Sequence, residues 1–393
     1  MTLLPLKRCL FVILTLALFA CSSTIPPQTM QVGAERSALY LPLLQGKKVG
    51  LVVNQTSRVG EQHLLDYLLA LNIDVVRIFA PEHGFRGDHD AGAHVSNDVD
   101  SLTGIAISSI YGKNKKPATE VMADLDVIIF DIQDVGVRFY TFISSMHYMM
   151  EAAAESGSEF IVFDRPNPNG KFVDGPILEK QFQSFVGMHP IPILHGMTVA
   201  ELAQMIKGQG WINQAQDLKL TTISNINYRR EMAYALPIAP SPNLPNSQSI
   251  QLYPSLCFFE ATPLSIGRGT DFPFQVLGHN SVKLGNFEFS PESRPGASLR
   301  PKLEGQIAKG IDLRNSNIQG LDLQPFIQAY QQFAQQNQSF FERADFMDKL
   351  AGTDKLRIAI EQGQSAQQIK QSWQASLKKF KQQRLPYLLY PDF

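Results

Sequence analysis

Between residues 48 and 163, four short runs are apolar almost throughout: Lys48-Val49-Gly50-Leu51-Val52-Val53, Val75-Val76-Arg77-Ile78-Phe79, Val127-Ile128-Ile129-Phe130 and Phe160-Ile161-Val162-Phe163. A strand with one wet face alternates apolar and polar residues, so runs without alternation belong to a sheet covered on both faces. Stretches with helical spacing, Gln62 to Ala70 and Phe139 to Glu155, lie between them, and Gly157 stands where a C-cap is needed. The pattern predicts an α/β fold: a Rossmann-like parallel sheet with helices on both faces.

Each run empties into a polar cluster. These are Asn54-Gln55-Thr56, Pro81-Glu82-His83-Gly84, Asp131-Ile132-Gln133-Asp134 and Asp164-Arg165-Pro166-Asn167. Ligands of open α/β sheets sit beyond the carboxyl ends of the strands, so the four clusters are expected to converge on one site. Asp and Asn also make turns and helix caps at such places, which is the alternative for each cluster alone. No G-x-G-x-x-G follows the first strand and no phosphate-binding G-x-x-x-x-G-K-[ST] occurs, so no nucleotide and no cofactor is expected.

Further on, Thr198 with Glu201 forms a capping box ahead of a helix to Ile206. The proline-rich stretch from Leu236 to Pro245 cannot be regular structure and marks the boundary between a catalytic domain, 36–240, and a smaller mixed α/β domain, 241–393. Polar helices are expected at 324–338 and 365–381. At the other end, Lys7 and Arg8 precede an apolar run to Ala20, too short to span a bilayer, which stops at Cys21-Ser22-Ser23. Residues 1–21 therefore read as a lipoprotein signal peptide ending at the acylated Cys21, and 22–35 as a tether. The expected location is the cell envelope, on the periplasmic face of the outer membrane, with the lipid as membrane partner.

Two of the three cysteines fall in that leader, leaving Cys257 as a buried filler in a body that cannot form an internal disulfide. Of 35 basic residues two are Lys7 and Arg8, and 36 acidic residues oppose the rest, so nucleic acid is not expected as a partner.

Several blocks, in order, carry a family resemblance. They include Phe79-Ala80-Pro81-Glu82-His83-Gly84-Phe85-Arg86-Gly87, Ile129 to Thr141, Asp164 to Pro168, His195-Gly196-Met197-Thr198, Pro240-Ser241-Pro242-Asn243-Leu244-Pro245 and Ser265-Ile266-Gly267-Arg268-Gly269-Thr270. From about 47 to 280 the chain resembles the peptidoglycan exo-β-N-acetylmuramidases of the NamZ type. The resemblance implies a cleft enzyme that removes N-acetylmuramic acid from the non-reducing ends of peptidoglycan glycans. It departs where such proteins carry Trp residues: here Asn227-Tyr228-Arg229-Arg230 and Leu236 to Ala239 stand instead.

Glycoside hydrolysis commonly needs an acid to protonate the leaving oxygen and a second group as nucleophile or base. Glu82 is the expected acid. Asp131, Asp164, Asp134 and Glu260 are candidate partners, and the substrate's own acetamido group is the alternative. A guanidinium fork suits the lactyl carboxylate of muramic acid, and Arg138, Arg165 and Arg268 are the candidates. Asn54, Gln55 and Asn243 are expected to bond sugar hydroxyls or the acetamide, and Tyr140 to stack or donate. His83, Arg86, Gln133, Asn167 and His195 complete the expected substrate contacts. Two other readings stay open: a metal-assisted hydrolase using the His- and Asp-rich run from His83 to His94, and a lipoprotein that binds glycan without turnover.

Overall fold

The computed structural model describes residues 29–86 and 98–392. The expected signal peptide, Cys21 and most of the His- and Asp-rich run lie outside the described residues.

The four apolar runs are strands β1 (Val49–Val53), β2 (Val75–Ala80), β5 (Val127–Asp131) and β6 (Glu159–Phe163). Three further strands, β3 (Asp98–Val99), β4 (Ala106–Ser109) and β7 (Lys219–Ile223), extend them into one sheet of order β3-β4-β2-β1-β5-β6-β7. All neighbours pair in parallel except β3, which runs antiparallel to β4 at the edge. Successive residues of a strand face opposite ways, and both sets are buried. Val52, Phe79, Phe130 and Val162 pack with Met146 and Met149 of the helix Phe142–Ser156 and with Leu202 of the helix Val199–Gly208. Leu51, Ile78, Ile129 and Ile161 pack on the other side with Tyr40, Leu44 and Leu68. The Rossmann-like reading therefore holds.

Local signals hold as well. The helix Phe142–Ser156 ends at Gly157 in the left-handed conformation (φ 78°), where glycine pays no Cβ penalty. Thr198 Oγ1 accepts from the Glu201 N–H while the Glu201 carboxylate accepts from the Thr198 N–H, closing the expected capping box. The expected helix at 365–381 is two helices, Ala366–Ser372 and Gln374–Arg384, broken at Trp373. The stretch expected as a tether is docked at its last residues: Gln31 exchanges backbone bonds with Ile226, and the Gly33 N–H donates to the Asp164 carbonyl (2.9 Å). A Cβ on Gly33 would meet the Ile223 carbonyl at 2.2 Å, so only glycine fits there.

Beyond the proline-rich stretch, the helix Ser247–Leu256 leads into a smaller part with an antiparallel sheet of β8 (Val276–His279), β10 (Ala308–Asp312) and β9 (Phe287–Phe289), in that order. Phe258, Phe259, Phe326 and Phe340 belong to the same continuous apolar core as Phe130 and Val162. Arg138, wholly buried, ties the two parts together. Its Nη1 donates to the carbonyls of Pro176 (2.8 Å) and Ile191 (2.7 Å), and its Nη2 to those of Leu350 (3.0 Å) and Ala351 (2.6 Å). Burial pulls this guanidinium down to about 9, which still leaves it charged at neutral pH.

Removing those donors strands four carbonyls in a dry interior. Arg138→Met is expected to cost about 3–5 kcal/mol of unfolding free energy, read as a lower urea midpoint with an unchanged slope.

Candidate active site

Between the carboxyl ends of β2, β4 and β5 and the smaller part lies a cleft of about 830 Å³, within the usual size of ligand sites. Glu82 and His83 reach it directly after β2, Tyr111 just after β4, and Phe139, Tyr140 and Thr141 from the loop after β5. Ser241, Asn243, Tyr253, Cys257, Glu260 and Arg268 form the facing wall.

Strand β2 stops abruptly because His83 and Gly84 are both left-handed (φ 69° and 75°). That conformation is strained for histidine and turns the chain sharply. The Glu82 carboxylate is held at both oxygens: Tyr111 donates its hydroxyl to Oε1 (3.0 Å) and Thr141 donates to Oε2 (2.7 Å). Burial, followed by the charge of Glu82, pushes the Tyr111 phenol well above its ordinary value, so it remains a donor. His83 Nε2 lies 3.2 Å from Ser241 Oγ, and Tyr140 donates to the Pro240 carbonyl (2.8 Å). Gln55 Nε2 donates to the Ala239 and Pro240 carbonyls (3.1 and 3.3 Å). The proline-rich segment is thus moored over the strand ends.

On the facing wall, Arg268 Nε and Nη2 both donate to Glu260 Oε1 (2.9 and 2.6 Å). The turn that presents Arg268 needs glycine on both sides. A Cβ on Gly267 would lie 2.6 Å from the Phe272 carbonyl oxygen, and one on Gly269 would lie 2.5 Å from that of Glu292. Asn243 donates to the Ala297 carbonyl (2.8 Å). Burial raises the Cys257 thiol well above its ordinary value, as befits an inert filler.

Six expected site residues, Glu82, His83, Tyr140, Asn243, Glu260 and Arg268, therefore share the cleft. The others do not line it. Asp131 and Arg165 close on each other through two bonds (2.6 and 2.8 Å). Asp164 accepts from Tyr390 (2.5 Å) and from the Ala200 N–H (3.0 Å), capping a helix and binding the chain's tail. Both acids are wholly buried, which corrects their assignment as catalytic partners. Arg138 is spent on four carbonyls and Arg165 on Asp131, so neither is placed to read a substrate carboxylate.

Buried turns account for the rest. Asn54 Oδ1 accepts from Thr56, Gln133 donates to the Asp134 and Pro166 carbonyls, Asn167 donates to the Met197 carbonyl, and His195 Nδ1 accepts from the Met197 N–H. Arg86 pairs with Asp100 (2.8 Å) and, with Gln55, borders a separate smaller depression.

Sequence reasoning missed Tyr111, Thr141 and Ser241. Thr141 and Ser241 stand inside quoted blocks; Tyr111 follows a strand too polar to register. In the Trp-poor region Tyr228 and Met232 to Ala235 are not among the residues lining the cleft, whereas Leu236 to Ala239 lead directly into Ser241 and Asn243 of its facing wall. The Tyr228 ring packs edge-on against Tyr390 (4.8 Å) beside Asn167, and Met232 to Ala235 border another depression.

Comparison with known proteins agrees with this architecture. Residues 49–248 match the family described as exo-beta-N-acetylmuramidase NamZ, N-terminal, and residues 251–390 match its C-terminal counterpart. The chain is 37% identical over 375 residues to the peptidoglycan beta-N-acetylmuramidase NamZ of Bacillus subtilis strain 168, covering 89% of each. It is also similar to two crystal structures of DUF1343 family proteins from Bacteroides fragilis NCTC 9343. One has a TM-score of 0.85 at 44% identity, covering 93% of this chain and 100% of that one. The other has a TM-score of 0.79 at 29% identity, covering 92% and 99%.

A buried acid beside the site gives a pH signature. Burial pushes Asp134 up to about 7 although the Gly136 N–H donates to it (2.6 Å). The folded chain therefore keeps a proton that the unfolded chain, near 3.8, has released. This contribution is fully present below that lower value and is lost as pH rises through about 7. Asp134→Asn is expected to flatten the fall in unfolding free energy between those limits, measured by urea titration at several pH values.

Proposed function

The chain belongs to the exo-β-N-acetylmuramidase NamZ family, and on that premise we propose that it is an exo-acting glycoside hydrolase releasing N-acetylmuramic acid from the non-reducing ends of peptidoglycan glycans. The observation that carries this reading is the Glu82 carboxylate, moored at both oxygens by hydroxyls in the one cleft that also presents Glu260.

The departing bond needs a proton on its oxygen as the anomeric carbon gains positive character. Glu82 supplies it, while Tyr111 and Thr141 fix the rotamer from which it is delivered. Glu260 is the second carboxylate, paired with Arg268 so that an oxygen is held in the cleft as nucleophile or base. Asp131, Asp134 and Asp164 are buried and bonded elsewhere, which leaves Glu260 as the candidate the geometry favours. None of the Trp-poor residues lines the cleft itself, and Glu82 and Glu260 are both presented there, which supports catalysis over binding without turnover.

The enzyme is proposed to work in the cell envelope as a lipoprotein at the periplasmic face of the outer membrane. The support is the leader around Lys7 and Arg8, the apolar run to Ala20 and Cys21 followed by two serines.

A chromogenic N-acetylmuramide tests the chemistry. Wild type is expected to release free muramic acid; Glu82→Gln and Glu260→Gln each lower kcat by roughly 10²- to 10⁴-fold, and Tyr111→Phe by about tenfold. Full activity in Glu82→Gln rejects the assignment, and full activity in Glu260→Gln moves the second role to the substrate's acetamido group. For the anchor, the full chain expressed with labelled palmitate should carry the label in the membrane fraction, and Cys21→Ala should be unlabelled and soluble.

A further inference from the structure

The facing wall of the cleft presents two guanidinium groups, Arg268 and Arg300, and the carboxylate Glu260. Glu260 takes Nε and Nη2 of Arg268 on a single oxygen, which leaves Nη1 of that guanidinium outside the pair. The Lys302 ammonium is seated on the carbonyls of Phe259 (2.9 Å), Glu260 (3.0 Å) and Thr262. Arg300 lines the same cleft, is exposed, and enters no salt bridge among the described residues. Two guanidinium groups, Arg268 and Arg300, thus line the cleft beside Glu260, and the second is in no salt bridge among the described residues, an arrangement that suits an anion.

The backbone that carries Arg300 is braced on every side. Arg294 and Ser298 exchange backbone bonds (2.8 Å each), and Asn243 holds the Ala297 carbonyl (2.8 Å). Pro301 packs so closely on Gly269 that a Cβ there would lie 2.7 Å from its ring. Lys302 pins the backbone of Glu260. Arg300 therefore leaves the chain one residue from the neighbour of Arg268, and both guanidinium groups are rooted at the same rigid end.

A planar guanidinium matches a carboxylate through paired N–H donors. N-acetylmuramic acid differs from N-acetylglucosamine by an ether-linked lactyl group that ends in a carboxylate. We propose that Arg300, with the outer edge of Arg268, reads that lactyl carboxylate, so that the sugar giving up its bond lies with its lactyl side against the smaller part and its anomeric carbon toward Glu82. This rests on the muramidase reading above and assigns its specificity to a residue outside the blocks that carry the family resemblance.

The test compares 4-nitrophenyl N-acetylmuramide bearing a free lactyl carboxyl with its lactyl methyl ester, which has the same shape without the charge. Wild type is expected to favour the acid by roughly 10- to 100-fold in kcat/KM. Arg300→Ala should lose that preference, its rate on the acid falling by much more than its rate on the ester. Arg300→Lys, which keeps the charge without the fork, should retain part of it. Equal wild-type rates on acid and ester, or an undiminished preference in Arg300→Ala, overturns the proposal. Failure of wild type to cleave either compound defeats the muramidase reading instead, and with it the assignment of Arg300.

Discussion

A single buried guanidinium sets the distance between the two halves of the cleft. Among the described residues Arg138 has no carboxylate partner; its charge is spread over four carbonyls, two in the loops after β6 and two at the end of the helix Ala344–Ala351. Two residues later the same loop presents Tyr140 and Thr141 to the cleft, and Leu350, whose carbonyl Arg138 holds, borders that cleft from the other side. Neutral carbonyl dipoles are weaker partners than an acid, but four of them fix direction as well as charge, and direction is what a two-walled site requires. Even the glycine that ends the helix is dictated by this group: a Cβ on Gly352 would lie 2.6 Å from Nη2.

The fold was legible because burial on both faces leaves a mark that propensity alone does not. Val127 to Phe130 has no polar residue to spare, and only a covered parallel sheet tolerates that. Strands β4 and β7 escaped notice for the converse reason: they lie toward the sheet's edges, half exposed, with Ser108, Ser109, Thr221 and Thr222 diluting the signal.

The sequence pointed to the cleft at Glu82 and His83, and to much less of what surrounds them. Arg165 follows Asp164 in sequence, yet it pairs with Asp131. Consecutive residues leave a strand end toward opposite faces, whereas residues on neighbouring strands in register share one. Adjacency across β5 and β6, rather than adjacency in sequence, sets this pair. The polar clusters at the strand ends were mostly structural, since Asn54, Gln133, Asn167 and His195 satisfy the backbone of the sharp turns they sit in. Tyr111, Thr141 and Arg300 carry no local signature, because hydroxyls and exposed arginines occur everywhere; only the company they keep in space marks them.

The bend at His83 and Gly84 has a further consequence. The glutamate beside it accepts from hydroxyls arriving from two other segments, separated from it by 29 and 59 positions. A partly folded chain can form β2 and still leave that carboxylate without the two hydroxyls that hold it. Order at this carboxylate therefore comes with the long-range contacts rather than with the first strands, and is complete only once the whole molecule has come together.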